Sequence, residues 1–128
     1  MTGDINDYIH YRMARAKETY EDAEILAAKK RWNSVINRLY YAAFYAVIAL
    51  LLKNNISAIT HNGVKTAFGQ YFIKNGIIPE EIGKTFSQLF TWRQKGDYDD
   101  LFDFTDERVM PYFAQVQQLI TIVEKLIE

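Results

Sequence analysis

The chain contains no cysteine, which excludes both a disulfide framework and a thiolate metal site. Histidine is almost as scarce. His10 and His61 are the only two, at no HExxH-like spacing, and a zinc site would need carboxylates to complete it. No metal and no cofactor are therefore expected. Charge of one sign is also missing: 15 Lys and Arg stand against 16 Asp and Glu, a net charge of −1, which argues against a generic nucleic-acid binder. The apolar run from Tyr40 to Leu52 is too short to span a bilayer. The N-terminal segment Met-Thr-Gly-Asp-Ile-Asn-Asp begins acidic and lacks the basic-then-apolar pattern of a signal peptide. A soluble, cytoplasmic protein with no membrane association is the expectation. What remains is a chain of 128 residues, 49% of them hydrophobic, enough for one domain (1–128) with a sizeable core.

Helical periodicity runs through nearly all of it. Ile5, Tyr8, Ile9, Arg12, Met13, Ala16, Tyr20, Ala23 and Ala27 predict a first helix over roughly 4–29. A second, over about 32–53, carries Trp32, Val35, Ile36, Leu39, Tyr40, Ala43, Val47, Leu50 and Leu51 on one face. Its other face holds Arg38, Tyr41 and Tyr45, so it is apolar or aromatic nearly all round, as a central bundle helix or one under a subunit interface would be. Thr60 is an N-cap for a third helix, whose buried side is expected to be Val64, Ala67, Phe68, Tyr71 and Phe72, with Asn75-Gly76 as its stop. Pro79-Glu80-Glu81 opens a fourth that runs to about Gly96. The last carries Val109, Tyr112, Phe113, Val116, Leu119, Ile120, Val123, Leu126 and Ile127, with Pro111 either starting or kinking it. No stretch alternates with a convincing period of two, and no repeat or flexible linker stands out. The fold expected is all-α, an antiparallel bundle of about five helices.

Arg93 is the misfit in this pattern. Ile82, Phe86, Leu89 and Phe90 mark an apolar stripe on the fourth helix, and Arg93 continues it, four residues after Leu89 and three after Phe90. A guanidinium keeps its proton, so a buried arginine must meet carboxylates, carbonyls or an anion. Either Asp97, one turn on, or Asp99 neutralises it, or it faces a groove that receives a partner's phosphate. The segment that follows is acidic throughout. Asp97, Asp99, Asp100, Asp103, Asp106 and Glu107 occur with no Lys or Arg among them, leaving 15 basic against 10 acidic residues elsewhere. Such segregation suits a solvated connector, or a tail that competes for a basic groove.

Three motifs in order then carry a resemblance over nearly the whole chain. Asn37-Arg38-Leu39-Tyr40-Tyr41-Ala42-Ala43-Phe44-Tyr45-Ala46 resembles the signature of an HEPN domain. Thr60-His61-Asn62-Gly63-Val64 resembles that family's Thr-His-x-Gly segment, and Arg93-Gln94-Lys95-Gly96-Asp97-Tyr98 its late arginine motif. The closest likeness is to the stand-alone prokaryotic branch found near minimal nucleotidyltransferases. The resemblance implies a small helical domain linked to nucleotide and RNA biology. The family's ribonucleases carry an arginine, four to six residues, then a histidine; here Tyr98 follows the four residues after Arg93, and no histidine occurs beyond His61. Metal-independent RNA cleavage needs a base and an acid that titrate near neutrality, and an unperturbed tyrosine, near ~10, is a poor base. Asp97 or Asp99 would be held as a weakly basic carboxylate beside Arg93.

The remaining candidates follow from placement. Arg38, Tyr41 and Tyr45, at i, i+3 and i+7, form either a stacking-and-charge surface for a base or part of the core. His61 opens a helix whose dipole disfavours imidazolium, and its buried side suits a neutral ring hydrogen-bonded to a neighbouring helix, against a catalytic or ligand role. His10 is expected at the surface. Tyr98 is also a candidate acceptor for nucleotidyl transfer, although the resemblance puts that acceptor two residues past the motif histidine, where Asp100 stands. Three functions remain in order: a homodimeric or larger HEPN protein that binds RNA or nucleotide through Arg38, Tyr41, Arg93 and Tyr98, acting with a minimal nucleotidyltransferase in a toxin–antitoxin-like or defence pair; an interaction scaffold; and a degenerate ribonuclease using Arg93, Asp97, Tyr98 or His61.

Overall fold

The computed structural model describes residues 4–98 and 103–128, without the side chain of Tyr98. Among the described residues there is no strand. α1 (Ile5–Ala28) starts at Asp4, whose side chain accepts from the Asp7 amide at 3.1 Å while Asp7 accepts from the Asp4 amide at 3.3 Å. That reciprocal cap satisfies two of the helix's orphan donors. A short turn with Lys30 in the left-handed region (φ 57°) reverses the chain into α2 (Trp32–Lys53), and the two helices make the most extensive contact in the molecule. Small side chains permit this: Ala16 and Ala23 on α1, and Ala42, Ala43, Ala46 and Ala49 on α2, are all fully buried.

α2 is the centre of the bundle. Eleven of its 22 residues are buried, and it packs on α1, α3, α4, α5 and α6. At 22 residues it is longer than its apolar run suggests, and by length and composition it could cross a membrane. Here it is instead the core that the other helices cover. Each large buried chain along it, such as Leu39 or Leu50, contributes about 1.5–3 kcal/mol relative to exposure.

α3 (His61–Phe68) is capped by the Thr60 hydroxyl oxygen, which accepts from the Gly63 amide at 2.9 Å. A Cβ on Gly63 would lie 3.0 Å from that oxygen, so the glycine of the Thr-His-x-Gly segment makes room for the cap. The helix then widens into a π turn over Gly69–Ile73, closed by the Lys74 amide on the Gly69 carbonyl at 2.9 Å, before Gly76 (φ 81°) ends it. This corrects the expectation of one regular helix with Tyr71 inside. The extra residue per turn keeps Phe72 buried and rotates Tyr71 outward, to 45% exposure. Ile5 and Tyr8 on α1 are likewise exposed rather than buried.

α4 (Glu80–Tyr98) runs two residues beyond Gly96 and buries Ile82, Thr85, Phe86, Leu89 and Trp92. Beyond the undescribed residues, the Phe104 amide donates to the Asn33 side-chain oxygen at 3.0 Å, tying the chain to the start of α2. α5 (Asp106–Val109) is a single turn, and Pro111 opens α6 (Pro111–Ile127), which buries Val116, Leu119, Ile120 and Val123. The result is the all-α bundle that the periodicity predicts.

Candidate functional site

The three motifs meet at one end of the bundle, where α2 supplies Asn37, Arg38, Tyr40, Tyr41 and Phe44, the start of α3 supplies His61, and α4 supplies Arg93 and Asp97. The register of the apolar stripes causes this. Tyr40 sits one turn from Ile36 on the buried face of α2, and Arg93 one turn beyond Leu89 on that of α4, so the two stripes bring them together.

The Arg93 guanidinium lies 5.1 Å from the centre of the Tyr40 ring and 5.9 Å from that of Tyr41, with its side chain 10% exposed. Asp97 meets it from one turn on at 3.6 Å, a long contact for a charge pair. The Arg93 Nε is buried with no hydrogen-bond partner among the described residues. Tyr41 contacts two cations, because the Arg38 guanidinium also stands 5.4 Å from the centre of that ring. Arg38 is held by Asn37, whose side-chain oxygen accepts from its Nε at 3.1 Å and its Nη2 at 2.7 Å. The Asn37 amide in turn donates to Asp97 at 3.5 Å. An open cleft of about 390 Å³ lined by Asn33, Ser34, Asn37, Arg38 and Asp97 adjoins this network.

His61 is held by its ring faces and one nitrogen. It stacks on Phe44 at 4.5 Å, and its Nδ1 lies 2.9 Å from the Tyr40 hydroxyl. Burial pushes its pKa down, and the nearby Arg93 charge pushes it further, so the ring is neutral. Burial raises the Tyr40 hydroxyl far above the ordinary tyrosine value, although Arg93 opposes the rise and Tyr41 adds to it. Tyr40 therefore keeps its proton, and its hydroxyl shares with Nδ1 a hydrogen bond whose direction is set by the His61 tautomer. Nδ1 is thus engaged by Tyr40, and Nε2 is the ring nitrogen left for another contact. With His61 neutral, the described members Arg38, Arg93 and Asp97 carry one positive charge in excess.

The fold thus brings Arg38, Tyr41, Arg93, Asp97 and His61 together. Burial does not separate His61 from Arg93, as its place on the inner stripe suggests; the arginine's charge reaches it. Tyr98 closes α4, but its side chain, like Asp99 and Asp100, lies outside the described residues. Tyr45 turns away to α1, and His10 is exposed. Asn37 and Tyr40 are the site residues that spacing misses. A signal existed for Tyr40, since a buried tyrosine needs a partner for its hydroxyl. Among the described residues, no group of three or more His, Cys, Asp or Glu could hold a metal ion.

An all-helical bundle with an arginine, a histidine and paired tyrosines at one end defines a class, and comparison with known proteins gives the family. The chain matches the HEPN domain over residues 9–126 and belongs to that family. It is similar to a UPF0332 protein of Thermotoga maritima, 40% identical over 120 residues, which is 94% of this chain and 91% of the relative. A Methanocaldococcus jannaschii protein named "Putative toxin MJ0605" is 36% identical over 95 residues, 74% of this chain and 71% of that one. A second protein of that organism, "Putative toxin MJ0142", is 31% identical over 93 residues, 73% and 63% of the two chains.

Proposed function

We propose that this HEPN protein is a cytoplasmic homodimer that binds RNA or a nucleotide and acts with a minimal nucleotidyltransferase in a toxin–antitoxin-like or defence pair, with little or no ribonuclease activity of its own. The observation that carries this reading is Arg93. Its side chain is nine-tenths buried and, among the described residues, its Nε has no partner and the carboxylate it pairs with stands at 3.6 Å. A phosphate would supply the acceptors that the interior does not. Arg38, which also stands over Tyr41, adds the second charge. The toxin names of two relatives favour the paired system, and the partially exposed aromatic surface of α2 favours self-association.

The direct test is titration with single-stranded RNA and with ATP at several salt concentrations. Arg93→Ala should abolish most binding and flatten the salt dependence by about 0.7 per lost phosphate contact on a single strand. Unchanged affinity and slope would remove the reading. Growth arrest on expression of this chain alone, relieved by a nucleotidyltransferase encoded beside it, tests the pairing. Light scattering that shows only monomer would reject the dimer.

A second reading, ribonuclease, draws on the placement of His61 beside Arg93. The engagement of Nδ1 by the Tyr40 hydroxyl weighs against it, because it leaves one ring nitrogen for proton transfer. A clean preparation that degrades single-stranded RNA, with activity lost in both Arg93→Ala and His61→Ala, would put the enzyme first.

A further inference from the structure

A line of ring and guanidinium contacts leads out of the arginine site onto α1. Tyr41 and Tyr45 have ring centres 5.9 Å apart. Arg12 and Arg15 both stand over Tyr45, at 5.8 and 5.6 Å. Arg12 reaches the Tyr11 ring as well, at 5.7 Å. Tyr8, Tyr11, Arg12 and Arg15 fall on one face of α1, three and four residues apart. Tyr8 and Tyr11 are 55% and 56% exposed, so the core does not account for them.

Charge on this surface is uneven. Four arginines lie along it (Arg12, Arg15, Arg38 and Arg93), while the described ion pairs give them Glu18 on Arg15 at 2.9 Å and Asp97 on Arg93. Two positive charges are left over, stacked on rings that hold them in place. Such a surface suits a chain of phosphates. The exposed tyrosines further specify unpaired bases, because stacking requires base faces that a duplex conceals.

We infer that the Tyr8–Tyr11–Arg12–Arg15 face of α1 is a binding track for single-stranded RNA, continuous through Tyr45 and Tyr41 with the Arg93 site. Arg12 and Arg15 meet phosphates, and Tyr8 and Tyr11 stack on bases. The inference rests on the reading that Arg93 receives a phosphate, but it concerns different residues and has a different signature. A strand long enough to leave the Arg93 site gains affinity from α1, whereas a mononucleotide gains none.

The test is fluorescence anisotropy with a labelled oligouridylate, its duplex with oligoadenylate, and unlabelled ATP as competitor. The wild type should bind the single strand more tightly than the duplex. The double variant Arg12→Ala, Arg15→Ala should weaken binding of the single strand about tenfold and flatten its salt slope by about 1.4, two contacts' worth. Its ATP affinity should be unchanged. Tyr11→Ala should weaken the single strand by at least about fivefold with the slope retained, because stacking carries no counterions. Loss of RNA binding in Arg93→Ala, with neither α1 variant having an effect, would overturn the track and leave the Arg93 reading intact. A wild type that binds neither RNA nor ATP would sink both. Dissociation of the double variant in light scattering, with RNA affinity unchanged, would instead assign the face to contact between copies.

Discussion

Trp92 and Arg93 are neighbours on α4 and each joins a ring to a guanidinium, but the two assemblies are built inside out from each other. On the Trp92 side the ring is inside. It packs on Phe104 at 5.3 Å and Tyr112 at 4.9 Å, and the guanidinium of the exposed Arg108 covers it at 5.1 Å. On the Arg93 side the cation is inside and the rings surround it. An arginine laid over a buried ring keeps much of its hydration and adds packing. A guanidinium taken out of water loses hydration that rings replace only in part. The first arrangement holds the bundle together. The second opposes stability, and in this family member it stands where the three motifs converge.

The largest effect should therefore come from the residue with no chemistry. Trp92→Ala should destabilise by about 3–5 kcal/mol in denaturant unfolding through loss of a large buried side chain. Arg93→Met should change stability by less than about 1 kcal/mol, or increase it, while removing anion binding. If Arg93→Met unfolds the protein as readily as Trp92→Ala does, the contrast fails and Arg93 is structural.

The next effect is pH-dependent. The pKa of His61 is pushed below its ordinary 6.5, so its contribution to stability is present above that value. As pH falls below 6.5 the unfolded chain takes up the proton first, and stability declines until the folded pKa is passed. Melting temperature should thus drop on acidification from neutrality, and the drop should be shallower in His61→Gln. Equal slopes in the two proteins would deny His61 its buried, neutral state.

Gly63→Ala carries a smaller change than Trp92→Ala. Its methyl would press on the Thr60 oxygen and weaken the cap at about 1 kcal/mol, and it should disturb RNA or ATP affinity through His61. A variant of wild-type stability would show that the cap can shift aside.

The bounds of α2 are legible because Trp32 to Lys53 contains no breaker and keeps one period throughout. Arg93 is legible for a related reason: a charge on an apolar stripe is visible in one dimension. Tyr40 is not, since its spacing is that of any core residue and its pairing with His61 joins positions 21 apart. Asn37 is hidden similarly, its role being set by Asp97, 60 residues on. Tyr71 misleads because a fixed period of 3.6 cannot register a turn that takes up an additional residue.

That turn gives α3 the form of a gear with one surplus tooth. A cell could lose Gly69 or Gln70 from the gene and keep a continuous helix, because the shorter segment closes as ordinary α-helix with Phe68 and everything before it in phase. The same cut in α2 would turn every later side chain by about 100°. Single-codon deletions therefore sort the molecule into a stretch with slack, just after α3, and a shaft with none.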